Sequence, residues 1–143
     1  MIWSRKGRRF QRDTSGATAV EFALVIGPLL LLVVGTIEAG RLMWTSHALD
    51  EVAIAGARCI GIRAPECTSG NAATADLAVP FLQQAAQSRG IVLRADGISF
   101  DASLGCGAQT GFLRVALTYD FASVLPGLAG TRLETEACFP SQI

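Results

Sequence analysis

Four cysteines, Cys59, Cys67, Cys106 and Cys138, and one histidine, His47, are the side chains of this 143-residue chain best suited to covalent or metal chemistry. The cysteines are not spaced as paired CxxC zinc ligands, and a lone histidine apart from them completes no ligand set. An even number of cysteines, all downstream of a long apolar run, points to two disulfides formed in an oxidising compartment, and four cysteines permit three pairings. No Gly-rich phosphate loop, HExxH helix or Ser/His/Asp grouping occurs. Asp96, Asp101 and Asp120 fall on or near strand and turn edges, where solvated carboxylates are the ordinary case. The expectation is a chain that is not an enzyme and that uses no cofactor, metal or small-molecule substrate.

Glu21 stands apart because of its surroundings. It lies near the front of the run GATAVEFALVIGPLLLLVVGTI, residues 16–37, and no charged residue follows it until Glu38. A helix needs about 20 mostly apolar residues to cross a bilayer, so residues 17–37 are expected to span one. A carboxylate within a bilayer costs about 2.5–3.5 kcal/mol on insertion scales and is usually answered by a partner. Arg5, Lys6, Arg8, Arg9 and Arg12 precede the run against a single acid, Asp13. Basic residues beside a span stay on the cytoplasmic side, which puts the N-terminus in the cytoplasm and everything after about Glu38 outside. That distribution leaves no extended basic surface for nucleic acid.

Residues 1–16 are too polar to fold alone and have three possible fates: a retained tail, the n-region of a secretory signal, or a leader removed by a dedicated peptidase. A secretory signal has an apolar core of 7–15 residues and a small-x-small cleavage site. Here the core is longer and Thr36-Ile37-Glu38-Ala39 is a poor site, so leader removal fits better. A cut between Gly16 and Ala17 would create an α-amine four residues before Glu21. That amine could neutralise Glu21 on its own helix, or meet Glu21 of a neighbouring subunit. The alternative is a Glu21 solvated at the headgroup level.

The elements that must position these residues follow from periodicity. Leu42, Leu49 and Gly56 recur every seven residues, with Thr45, Val52 and Ala53 on the same stripe, and no proline intervenes before Pro65. A helix from Ala17 to Arg58 would be about 63 Å long at 1.5 Å per residue. Pro28, after Gly27, predicts a bend within it. The stripe on its outer half is expected to pack on the C-terminal domain of the same chain, with a neighbouring subunit as the alternative. Glu38 and Arg41, three apart, read as a surface pair of little energetic worth, and Trp44 as a marker of the outer membrane interface. Cys59 to Gly70 reads as a break. A second helix is expected from a cap at Asn71 to about Ser88, with Leu77, Phe81 and Ala85 on one face and Gly90 as its stop. Ile91-Val92-Leu93 leads through an Asp96-Gly97 turn to Ile98-Ser99-Phe100. Residues 112–121 alternate, with Leu113, Val115, Leu117, Tyr119 and Phe121 inward. After a Pro126-Gly127 turn, residues 131–139 alternate with Leu133 and Ala137 inward. Pairing the two strands about that turn sets position 112 opposite about 139 and Cys106 near Cys138. This favours Cys106–Cys138 with Cys59–Cys67 among the three pairings.

The fold class expected is therefore α+β: a long N-terminal helix against a small antiparallel sheet with a second helix. Its divisions are a leader at 1–16, a transmembrane segment at 17–37, an exported extension of the same helix at 38–62, and a small α+β domain at 63–143.

Gly16-Ala17-Thr18-Ala19-Val20-Glu21-Phe22 resembles the Gly-x-x-x-x-Glu-Phe/Tyr processing motif of type IV pilin-like proteins. The continuation is similar to the TadE-like family of minor pseudopilins of tight-adherence (Flp) pilus systems. The residues that carry the likeness are Ala19 to Leu24, Pro28 to Leu32, Gly35, Glu38 to Leu42, Ala53, and Gly56-Ala57-Arg58. A bare Gly-x4-Glu is common, but at the junction of a basic leader and an apolar span it is specific. The resemblance implies a pilin-like fold, a cut by a prepilin peptidase after Gly16, and a docking role for Glu21 and Phe22 among other pilin or pseudopilin subunits and pilus-assembly proteins. It also implies a single-pass protein of the bacterial inner membrane with a periplasmic C-terminal domain. The alternative is a membrane-tethered periplasmic binding or envelope module that keeps residues 1–16.

Overall fold

The computed structural model describes residues 15–70, 72–101, 106, 111–125 and 130–140. The leader up to residue 14, the expected cap Asn71 and the Pro126-Gly127 turn lie outside the described residues. The chain is α+β. Helix α1 spans Ser15–Gly61, strands β1 (Thr68–Ser69) and β2 (Ala72–Ala73) form a small hairpin, and helix α2 covers Ala75–Gln87. A 3₁₀ turn at Ala95–Gly97 leads into β3 (Ile98–Asp101), followed by β4 (Phe112–Phe121) and β5 (Thr131–Pro140). The last three form an antiparallel sheet in the order β3-β4-β5. Two units divide the chain, Met1–Ile37 and Glu38–Ile143.

Pro28 lies inside α1. A proline there removes one backbone donor, and the helix continues through it. The helix ends at Gly61, within one residue of the extension expected over 38–62, so Cys59 sits in its last turn and not in the break expected from Cys59 to Gly70. Ile62 N–H bonds to the carbonyl of Arg58 and Ala64 N–H to that of Cys59, each at 3.0 Å. The chain then reverses through Arg63, whose φ of 57° is left-handed.

Within the second unit, the α1 stripe is covered by its own chain. Leu49, Val52, Ala53 and Ala57 join Leu82 of α2 and Val115 and Leu117 of β4 in one buried cluster. Helix α2 enters it by a different face from the one its larger side chains suggest. Ala78, Leu82 and Ala86 are fully buried, whereas Leu77 is exposed and Phe81 and Ala85 are partly buried. The large residue of this face, Leu82, seats its side chain against Gly56 of α1, where a β-carbon would collide with it. Thr74, not Asn71, holds the N-cap position of α2. Gly90 adopts a φ of 78° behind it, and Ile91 N–H bonds to the Ala86 carbonyl at 3.0 Å, closing the helix.

Residues 91–93 alternate as a strand would, with Ile91 and Leu93 buried and Val92 exposed, yet they join no sheet. The Leu93 carbonyl instead accepts from Gln83 Nε2 at 3.1 Å. The strand pair β4–β5 has Leu113 opposite Phe139, Val115 opposite Ala137 and Tyr119 opposite Leu133 on the core side. Position 112 faces Pro140, one residue beyond the expected 139. On the outer side Asp120 faces Arg132, and Arg132 Nε donates to its carboxylate at 3.0 Å.

Candidate functional site

The apolar run of α1 comes first because its composition alone forces the question of what covers it. Leucine, valine and isoleucine dominate the helix from residue 22 to 37, so no polar face is left for water. None of its most apolar 18-residue window is buried, and Phe22 is 67% exposed. A helix apolar all round belongs in hydrocarbon or inside a large core. Among the described residues, α1 is the one helix long and apolar enough to cross a membrane, which fits a single-pass membrane protein.

Gly16 and Ala17 lie in the first turn of this helix, and no atom lies within 4 Å of where a Gly16 β-carbon would be. Glu21 is one turn after Ala17 and exposed, with Phe22 beside it. The four residues proposed for processing and docking are thus carried on a single helical segment at the front of the run.

Immediately after the run stands a group that sequence reasoning undervalued. Glu38, expected on the surface, is 2% exposed. Its carboxylate accepts from Ser123 Oγ at 2.7 Å and from Arg41 Nη1 at 2.5 Å. Ser123 Oγ in turn accepts from Leu125 N–H at 3.0 Å, so the hydroxyl both donates and receives. The Ser123 hydrogen bond, opposed by desolvation and helped by Arg41 and Val124, holds the Glu38 pKa below its ordinary 4.5. Arg41 also lies over the Phe121 ring, 5.6 Å from its centroid. The end of β4 is thereby clasped to α1 at the first residue of the second unit. The Glu38–Arg41 spacing was visible in sequence, but Ser123 is 85 residues away from Glu38 and carries no local signal.

Next to the clasp is a cleft of about 470 Å³ whose walls include Arg41, Trp44, Arg89, Tyr119 and Phe121. Arg89 Nε is held by Glu51 of α1 at 2.9 Å. Further along α1, Thr135 Oγ1 of β5 donates to Asp50. Glu38, Asp50 and Glu51 therefore each tie α1 to a different later element.

The cysteines are joined as Cys59–Cys67 and Cys106–Cys138, with Cα atoms 6.0 and 6.1 Å apart. The first bridges the last turn of α1 to the chain just before β1. The second fastens Cys138 of β5 to the segment between β3 and β4. Among the described residues, no group of three or more His, Cys, Asp or Glu is arranged to hold a metal ion.

Comparison with known proteins gives one finding and two blanks. Residues 16–58 match the model of a family described as TadE-like protein. No curated protein and no solved structure matches the chain.

Proposed function

Over residues 16–58 the chain is TadE-like, and from that premise we propose that it is a minor pseudopilin-like subunit acting in assembly of a tight-adherence (Flp) type IV-like pilus or secretion filament. Its seat is the bacterial inner membrane, crossed once by residues 17–37, with the N-terminus cytoplasmic and the domain after Glu38 periplasmic. A prepilin peptidase cuts after Gly16. The glycine admits the backbone to a protease cleft because it has no β-carbon. Glu21 then makes its partnership either with the new amine of Ala17 or with a neighbouring pilin or pseudopilin subunit, while Phe22 and the following apolar residues pack against neighbours. The role is assembly rather than catalysis.

The observation that carries this reading is the TadE-like segment lying on a helix whose apolar window is wholly uncovered and whose front end bears an exposed carboxylate. A charge at that position gains from docking because it escapes the cost of sitting unpaired in hydrocarbon. The mass of the mature N-terminus tests the processing step: a chain beginning at Ala17 supports it. A chain beginning at Met1 supports a tethered module instead, and one beginning beyond Glu38 supports secretion. For the docking step, Glu21→Ala is expected to insert in the membrane as the parent does but to lose co-isolation with pilus subunits. Unchanged co-isolation would end the docking role of Glu21.

A further inference from the structure

Strand β4 outruns the strand on one of its sides. β3 pairs with it only from Arg114 to Leu117, whereas β4 runs on to Phe121. We propose that the uncovered end of β4, residues 118–121, takes an extended segment of another polypeptide as an added antiparallel strand in line with β3. That segment presents an apolar and an acidic side chain on its inward face. Every residue of the slot belongs to the second unit, so neither membrane anchoring nor pilus assembly is required for it.

The backbone of this end is aimed at the empty position. In an antiparallel strand the N–H and C=O of one residue point to the same neighbour, and successive residues alternate. A β-carbon on Gly97 would meet the Thr118 carbonyl, so Thr118 faces the β3 side. Asp120, two residues on, turns its N–H and C=O the same way, and among the described residues no strand meets it there. The stretch of chain that could have filled the position is held out of the sheet. Residues 91–93 alternate in burial, but the Leu93 carbonyl accepts from Gln83 Nε2 and pairs with no strand.

Room remains on both faces of the slot. One cleft, of about 480 Å³, is lined by Val92 and Arg94 and by Thr118 and Asp120. The other, of about 470 Å³, is lined by Ile91 and by Tyr119 and Phe121. A strand laid along β4 points successive side chains to opposite faces and so reaches both clefts. The inward cleft names the occupant. Its walls carry the rings of Trp44, Tyr119 and Phe121 with two guanidiniums, Arg41 and Arg89, and none of its lining residues is acidic. Arg41 uses Nη1 on Glu38, and Arg89 uses Nε on Glu51 and Nη1 on the Ala85 carbonyl, while a guanidinium has five N–H donors. An apolar side chain fits the rings and a carboxylate fits the guanidiniums. On the outward cleft Arg94 pairs with Asp96 and Arg132 with Asp120, which suits neutral polar side chains. Main-chain hydrogen bonds supply affinity in this mode of recognition, and the two clefts supply specificity.

The test uses the full chain in detergent micelles and a capped synthetic peptide with threonine at every second position and valine and glutamate between them. The peptide is expected to slow hydrogen exchange at the Asp120 amide and, in a Trp3→Phe background that leaves Trp44 as the one indole, to shift its emission. The same peptide N-methylated at its threonines, whose amides would face β4, is expected to bind about tenfold more weakly, the effect of a backbone hydrogen bond left unmade. Asp120→Pro removes the donor on the open side and leaves the β5 ladder intact, with a similar loss of about tenfold, whereas Asp120→Asn keeps the donor and the binding. Equal binding of the methylated and unmethylated peptides overturns strand addition, even should Asp120→Pro fail to fold. An Asp120 amide that exchanges as before at millimolar peptide overturns the site. Equal binding of a peptide with lysine in place of glutamate overturns the role given to Arg41 and Arg89. An Asp120 amide already protected in a peptide-free dimer assigns the slot to a second copy of the chain and overturns the foreign partner.

Discussion

Protonating Glu38 removes the negative charge on which Ser123 and Arg41 converge. The folded carboxyl binds its proton less readily than the unfolded one, because the Ser123 hydroxyl and then Arg41 favour the anion over the opposing desolvation. Its contribution to stability is therefore complete above the ordinary 4.5 and disappears as pH falls through the depressed folded value. The parent is expected to lose stability across that acid window, and Glu38→Gln to be less stable at neutral pH with a flatter profile. Urea denaturation of the detergent-solubilised protein at a series of pH values measures both; parallel profiles for parent and variant would remove Glu38 from the account. The sequence made the Glu38–Arg41 pair legible through its i, i+3 spacing. It could not reveal the burial, or the hydrogen bond from Ser123, which lies just past the end of β4 and 85 residues away in sequence. Glu21 is the opposite case: its isolation in an apolar run is a one-dimensional fact, readable before any fold is known.

At the scale of elements, alternation in β4 was enough to identify the inward residues. Leu113, Val115, Leu117 and Phe121 are buried, and the β5 register came within one position. A period of two is set by the pleat and needs no tertiary information. Helix α2 was harder, because its buried face is chosen by what fits against α1. Leu82 lies inside against Gly56, with Ala78 and Ala86 on the same face, and Leu77 lies outside. Residues 91–93 show the same limit in another form: alternation dictated their burial, but a strand also needs a neighbour, and Gln83 took the carbonyl instead. Two glycines on α1 separate propensity from packing. Alanine gains about 1 kcal/mol over glycine in a helix, while overfilling a packed contact costs about 1–3 kcal/mol. Gly40→Ala, with open space around it, is expected to be more stable than the parent by up to about 1 kcal/mol. Gly56→Ala, which meets Leu82, is expected to end about 1 kcal/mol less stable. Urea midpoints for the two variants decide this, and equal shifts would deny the Gly56–Leu82 contact.

For the molecule as a whole, the two disulfides enclose loops of different size, with sequence separations of 8 and 32. In the chain-entropy view the shorter contributes about 2.5 kcal/mol and the longer about 3.7 kcal/mol, by restricting the unfolded chain. Replacing Cys106 and Cys138 together by alanine is therefore expected to destabilise more than replacing Cys59 and Cys67 together, as read from paired urea curves; the reverse order would favour a local role for the shorter loop. The general layout, apolar helix first and cross-linked α+β unit second, was legible because composition changes sharply at Glu38 and every cysteine follows it. The ties that Glu38, Asp50 and Glu51 make to the loop after β4, to β5 and to Arg89 were not, since each joins side chains far apart in sequence.

On the proposed orientation, that all four sulfurs trail the hydrophobic segment also sets an order for biogenesis. The thiols would then reach the oxidising side only once the segment is in place, so nothing covalently knotted would have to cross. Oxidation thus becomes a stamp of arrival: copies stalled on the way should still take up an alkylating reagent and migrate as the reduced form, whereas delivered ones should not.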